Sequence, residues 1–239
     1  MQYLIYILLA ILPSLIWLLF YLRKDKHPEP KAMVIKVFIW GMLIAFPAVI
    51  IENAVISILE SFALPPVLHT AILYLVIVAI TEEALKFLVV YSRVFKQTTE
   101  LDEPIDAIIY MIIAALGFAA IENILLLTPL APNNLALALN IATTRFVGAT
   151  FLHALASAII GYYFALSLFN PQKRFPLLIH GFALAILLHG FYNVFVVYME
   201  DNFLFVFPTA ILILVTAIAI SSFIQRLSQM KSITQISKQ

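Results

Sequence analysis

Apolar residues along this chain run in long stretches separated by short segments rich in proline, asparagine and charge. A membrane-spanning helix needs about 20 mostly apolar residues. Seven stretches qualify: 2–22, 33–59, 67–92, 105–128, 141–168, 176–199 and 203–224. The connections carry turn chemistry, with Pro28 and Pro30, Pro65 and Pro66, Pro129 to Asn134, and Asn170-Pro171. Asp102 or Glu103 is placed to cap the fourth helix, with Pro104 in its first turn. The pattern predicts an all-α fold: a single polytopic membrane domain of about seven transmembrane helices, with 225–239 as a short cytoplasmic tail. The first stretch lacks a basic leader and a small-residue cleavage site, so it reads as a retained helix rather than a secretory signal.

Composition agrees with a protein that lives in lipid. Of 239 residues, 64% are hydrophobic and only 11% charged, against about half and a quarter in an ordinary soluble domain. A net charge of +1 offers no basic field for nucleic acid. With no cysteine, thiolate nucleophiles and Cys-ligated metals are excluded, and any hydrolytic chemistry falls to Glu, Asp, His, Ser or water.

Charge also orients the helices. Arg23, Lys24, Lys26, Lys31 and Lys36 fall at the first junction, Arg93 and Lys96 at the third, Lys173 and Arg174 at the fifth, and Arg226, Lys231 and Lys238 in the tail. The even junctions hold no Lys or Arg, and Glu60, Glu200 and Asp201 sit there instead. By the positive-inside rule the N-terminus is outside and the C-terminus cytoplasmic, in a multi-pass protein of the plasma membrane.

Lys86 and Arg145 are left over from that pattern, and they are not alone inside the apolar stretches. The third carries Glu82, Glu83 and Lys86, the fourth Glu122 and Asn123, the fifth Arg145 and His153, and the sixth His189 and Asn193. Ionisable groups at membrane depth cost several kcal/mol, so each marks a candidate functional position. Glu82 and Glu83 project about 100° apart, and Lys86 can pair with either. One acid is then held by Lys86 or another helix, and the other is free to hold water. His189 and Asn193, four apart, share a face and converge on one point. At 1.5 Å per residue His153 lies about 18 Å below the outer end of a helix starting near Asn140, and His189 about 20 Å above the inner end of its own. Both then fall near mid-membrane, and four helices aim polar groups into one pocket. Ser157 and Gly161 have the small-xxx-small spacing of close helix contacts. Glu52 and Asn53 are expected near the outer solvent.

No His-Glu-x-x-His zinc helix, Gly-x-Ser-x-Gly elbow or intramembrane Asp pair is present. The motifs that are present, Glu82-Glu83-x-x-Lys86, Gly117-Phe118-Ala119-x-x-Glu122-Asn123, His153 with Gly161 eight residues on, and Leu188-His189-Gly190-x-Tyr192-Asn193, resemble the PrsW family of bacterial membrane proteases. The resemblance spans roughly 21–199 and includes Asp25-x-x-Pro28-Glu29-Pro30 and Asp106-x-x-x-Tyr110. Ala107 stands where the family commonly has Gly, and Asn193 where many members have Asp, which removes residue 193 as a proton carrier but not as a hydrogen-bonding group. The resemblance implies an intramembrane peptidase acting on a membrane-anchored protein within the lipid bilayer, in the manner of a regulatory, anti-sigma-factor-like site-1 cleavage.

Carried onto this chain, the resemblance makes Glu82 or Glu83 the base for water and His189 and Asn193 the polarisers of the carbonyl. Glu122 and His153 position them, with Lys86, Asn123 and Arg145 in support. Kinship with glutamate-type CAAX proteases favours a metal-free site, and zinc held by His153, His189 and Glu82 is the alternative. A proton-coupled transporter and a catalytically silent scaffold are the competing classes. The oligomeric state is not readable. On the charge pattern alone, reporter fusions after residues 64, 98, 134, 172 and 201 are expected to read outside, inside, outside, inside and outside; two neighbouring fusions on one side would refute this topology.

Overall fold

The computed structural model describes residues 2–25, 27–96, 101–130 and 134–230. Among them there is helix and turn but no strand. Helix α1 covers Gln2–Leu22 and α2 Lys31–Leu59. A continuous helical run follows: α3, Pro66–Ala71, passes into a π-helical stretch, Ile72–Val78, then α4, Ala79–Val90, and a second π stretch, Tyr91–Phe95. Next come α5, Pro104–Leu127, α6, Leu135–Val147, α7, Ala149–Phe169, α8, Arg174–Asp201, and α9, Val206–Leu227. Six runs are long and apolar enough to cross a membrane. The α3–α4 run, whose apolar sequence is interrupted by Glu82, Glu83 and Lys86, makes the expected seventh.

The fifth stretch departs from its expected form. It starts at Leu135 rather than 141 and breaks at Gly148, whose ψ of −102° is outside the helical range. A Cβ there would lie 2.5 Å from the Tyr192 hydroxyl and 2.8 Å from the Thr144 carbonyl oxygen, so only glycine fits the corner. Arg145 and His153 therefore sit on different helices. The corner also moves His153, with only about 6 Å of α7 ahead of it and about 24 Å behind it. His189 is about 22 Å along α8 from Arg174. That is close to the midpoint of α8, which is about 42 Å long. At the other end of the chain α9 reaches Leu227, which shortens the expected tail, and residues 231–239 lie outside the described part.

Helix α5 is the axis of the bundle. Its sequence is apolar on every side, and from Pro104 to Ile121 every residue is buried against α1, α2, α4, α7 and α9. Its start is capped as expected: Glu103 accepts from the backbone of Asp106, and the Asp106 carboxylate accepts from the Glu103 amide at 2.6 Å. The outer helices α1, α2 and α9 turn large apolar side chains outward, among them Leu8, Ile50, Ile58 and Leu214, as lipid contact requires. At the basic end, cations lie over aromatic rings, Arg93 on Trp40 at 3.6 Å and Arg174 on Phe95 at 5.5 Å. Asp25 and Glu29, which precede α2, are buried at the same end. There burial raises the Asp25 carboxyl above its ordinary range and pushes that of Glu29 up to about 7.

Helix α8 crosses the first π stretch at Gly190, where an added Cβ would meet Leu75 at 2.6–2.7 Å. This close approach brings His189 against α4. Replacing Gly190 by Val should push the two elements apart at a cost of about 1–3 kcal/mol, read as a lower unfolding temperature in detergent. Phe191→Leu, on the exposed side of the same turn, should change little. Equal stability of the Gly190→Val protein and wild type would show that the contact does not hold α8 in place.

Candidate active site

The polar residues of four helices meet around the Lys86 ammonium. Lys86 is fully buried, and its Nζ donates to Glu82 Oε2 and to Glu83 Oε1, each at 2.9 Å. Its third partner is His153 Nδ1 at 2.8 Å. An ammonium has three protons and no acceptor, so these contacts use all three donors. The sequence left Lys86 a choice of one glutamate; the structure gives it both, because it lies three residues from one and four from the other. The Phe118 ring faces the same ammonium at 4.4 Å.

The two glutamates nevertheless differ. Glu83 is fully enclosed: Oε1 also meets His189 Nδ1 at 3.0 Å, and Oε2 accepts from Ser157 Oγ at 2.8 Å. Glu82 uses only Oε2, with His153 Nδ1 at 3.6 Å and His189 Nε2 at 3.8 Å beyond hydrogen-bonding reach. Its Oε1 has no partner among the described residues. Ser157, read from the sequence as a packing residue, is thus a ligand of Glu83. A hydroxyl at small-xxx-small spacing could have signalled this, since an unpaired hydroxyl beside a buried carboxylate is costly.

The tautomer of His153 follows from its neighbours. Because Lys86 can only donate, Nδ1 of His153 accepts and its proton resides on Nε2, which donates to Glu122 Oε2 at 2.6 Å. Arg145 Nη2 meets the same Glu122 oxygen at 3.2 Å, and its Nε makes a short bond to Asn123 Oδ1. Asn123 in turn donates to the Ala10 carbonyl and to Thr150 Oγ1, both at 3.1 Å. One hydrogen-bonded chain therefore runs from α4 through α7 and α5 to α6 and α1. Arg145 is an internal partner and not a snorkelling residue; the corner at Gly148 turns its helix toward Glu122.

Two further residues bear on the cluster. Glu52 is half-buried instead of solvated, with an enclosed Oε1 that no described group satisfies, and Glu82, Glu122 and Lys86 are the charges it feels. Only the repeat of Ile-Glu-Asn at 51–53 and 121–123 hinted at this in the sequence. Asn193 lies one turn beyond His189 but does not join the hydrogen-bonded knot. It lines a cavity of about 860 Å³ between the α6–α7 corner, α8 and α9, together with Arg145, Tyr192 and mostly apolar side chains such as Val196 and Ile213. Glu200 lies on the wall of this cavity as well.

Donor atoms of Glu82, Glu83, His153 and His189 lie within 4.8 Å of one another. In kind and spacing they suit a zinc-type ion. Lys86 Nζ, however, is already within 2.9 Å of three of the four, so a divalent ion fits among them only if the ammonium leaves.

A family model described as PrsW family intramembrane metalloprotease matches residues 29–222. The chain is 36% identical to Protease PrsW of Geobacillus kaustophilus over 176 residues, 73% of this chain and 71% of the relative. It is 29% identical to Protease PrsW of Halalkalibacterium halodurans over 206 residues, 86% and 89% of the two chains. To Protease PrsW of Bacillus subtilis it is 26% identical over 201 residues, 79% and 81% respectively. No solved structure matches it. Family model and relatives together cover the helices that build the glutamate, histidine and lysine cluster, and the chain belongs to the PrsW family of intramembrane proteases.

Proposed function

We propose that this protease cleaves a peptide bond of a membrane-anchored protein near the outer face of the membrane, with Glu82 as the base for water. The observation that carries the reading is the inequality of the two glutamates: Glu83 has both oxygens engaged, and Glu82 has one open. Glu83 then acts as the anchor that holds Lys86, His189 and Ser157 in place. The Nδ1 contact with Glu83 makes that atom the donor, so a neutral His189 ring presents an acceptor at Nε2, on the Glu82 side. His189 accordingly orients the water, a different role from the carbonyl polariser that the family resemblance implied. In the chemical step the water oxygen attacks the carbonyl carbon as Glu82 takes its proton. The oxyanion is met by Asn193 and Arg145, the donors on the cavity wall. When the C–N bond breaks, the proton passes from Glu82 to the leaving nitrogen. The apolar cavity beside the site, which runs from Arg145 and Asn193 to Glu200 and Phe203 at the end of α8 away from the basic junctions, supports a substrate segment entering sideways from the outer leaflet, as an anti-sigma-factor-like site-1 cleavage requires. Family membership removes the ground for a transporter, and retention of the whole donor set argues against a silent scaffold.

The family's description carries a metal, and the donors present are right in kind. Such an ion would be held by Glu82, His153 and His189 and would supply Lewis-acid chemistry when bound. With Lys86 where it is, positive charge at this centre is already provided by the ammonium, and no step above needs a second source. Cleavage should therefore survive exhaustive chelation, with substoichiometric zinc by elemental analysis; loss of activity restored specifically by zinc overturns the metal-free route and makes the histidines ligands.

Comparison of membrane-anchored proteins by proteomics in wild-type and Glu82→Gln cells should reveal the substrate as the protein left uncut. Against it, Glu82→Gln and His189→Ala should lower kcat on the order of 10²–10⁴-fold, with the protein still in the membrane. His153→Ala should do the same by releasing Glu122. Ser157→Ala, which removes one hydrogen bond from Glu83, should cost about tenfold. Lys86→Ala should lower both activity and protein level, since it leaves buried carboxylates without their cation. Full activity of a His153→Ala/His189→Ala double variant would sink the site as drawn.

A further inference from the structure

At the basic end of the bundle, about 20 Å or more along the helices from the protease site, a second group of acids is buried. Asp25 is 7% exposed, Glu29 8% and Asp106 2%, and one carboxylate oxygen of each lies within 4.8 Å of the other two. One oxygen of each acid has a donor from outside the group, and the Glu29 and Asp106 side chains are also hydrogen-bonded to each other. Asp25 Oδ1 accepts from the His27 amide at 3.0 Å, Glu29 Oε2 from the Tyr110 hydroxyl at 2.5 Å, and Asp106 Oδ2 from the Glu103 amide at 2.6 Å. Asp25 Oδ2 is different: it is buried and has no hydrogen-bond partner among the described residues. No Lys or Arg among the described residues forms an ion pair with any of the three acids. His27 is turned away, onto Glu103 at 2.8 Å.

A buried carboxylate oxygen with no donor costs of the order of 1–3 kcal/mol, more when charged. Two neighbouring carboxylates only add to that cost, which is met either by protons on the acids or by positive charge brought in from outside. We propose that Asp25, Glu29 and Asp106 form a binding site for a hard divalent cation of the Ca²⁺ or Mg²⁺ type, separate from the protease site. All three donors are oxygen, the choice of hard ions, whereas the protease cluster mixes oxygen with imidazole nitrogen. The three ligands come from two parts of the chain: Asp25 and Glu29 just ahead of α2, which starts at Lys31, and Asp106 in the first turn of α5. A bound ion thus ties the first junction to the central helix at the end where the basic residues gather, and leaves the cavity and Glu82 untouched.

The test is cation binding by the full chain in nanodiscs at neutral pH, with Ca²⁺, Mg²⁺ and Mn²⁺ titrated separately and followed by calorimetry and by the unfolding temperature. Wild type should bind one ion of at least one kind and unfold at a higher temperature with it. Asp25→Asn and Glu29→Gln should each weaken binding at least tenfold. Glu82→Gln should leave it unchanged, which separates this site from the protease cluster. Asp25→Asn takes no part in capping α5, and its circular dichroism should match wild type, so loss of binding there is not loss of fold. Failure of wild type to bind any of the three ions, equal binding by both loop variants, or loss of binding in Glu82→Gln alone would each overturn the proposal. So would stabilisation by mild acid in place of the cations, which would mean that the three carboxyls are satisfied by protons.

Discussion

A single buried ammonium organises the functional half of this protein. Moving Lys86 out of water costs several kcal/mol, recovered only if every one of its protons finds a well-placed acceptor. Glu82, Glu83 and His153 are those acceptors. Two come from the same helix at fixed spacing, while the third requires α7 to lie against α4. Satisfying Lys86 therefore sets the relation of two helices, and the tautomer that it imposes on His153 passes the constraint on to Glu122, Arg145 and Asn123.

The same interaction separates the chemistry of two adjacent glutamates. Lys86 touches both, so proximity to the cation does not distinguish them. The difference comes from what reaches Glu83 from elsewhere, Ser157 on α7 and His189 on α8. Each extra donor occupies Glu83 further, while Glu82 keeps an Oε1 without a partner among the described residues. His189 can make its contact because Gly190 lets α8 lie against the π stretch. A helix contact thus has a direct consequence for the chemistry.

Gly148 plays a comparable part on the opposite side. By ending α6 it turns Arg145 inward to Glu122 and raises His153 toward the outer end of α7. It also leaves, beside the corner, the apolar cavity that Asn193 and Tyr192 line. The polar network and the cavity share Arg145, so the two are coupled through one side chain.

Hydrophobic run length and the asymmetry of cations were enough to predict a seven-helix membrane bundle and its expected orientation, because lipid allows few alternatives for a long apolar segment. The cost of burying charge likewise marked Glu82, Glu83, Lys86, Glu122, Arg145, His153 and His189 from the chain alone. What spacing along one helix cannot encode is which groups arrive from other helices. The corner at Gly148 was hidden inside a continuously apolar stretch, so Arg145 and His153 were read onto one helix where the structure has two. Ser157 looked like a packing residue and Glu52 like a solvated one, since only the assembled bundle shows what each faces. The sequence by itself determined the environment and the cast of polar residues, through the price of putting them in lipid; the tertiary structure decided their partners, and with them which glutamate is open, because hydrogen bonds between helices depend on distances that no local pattern records.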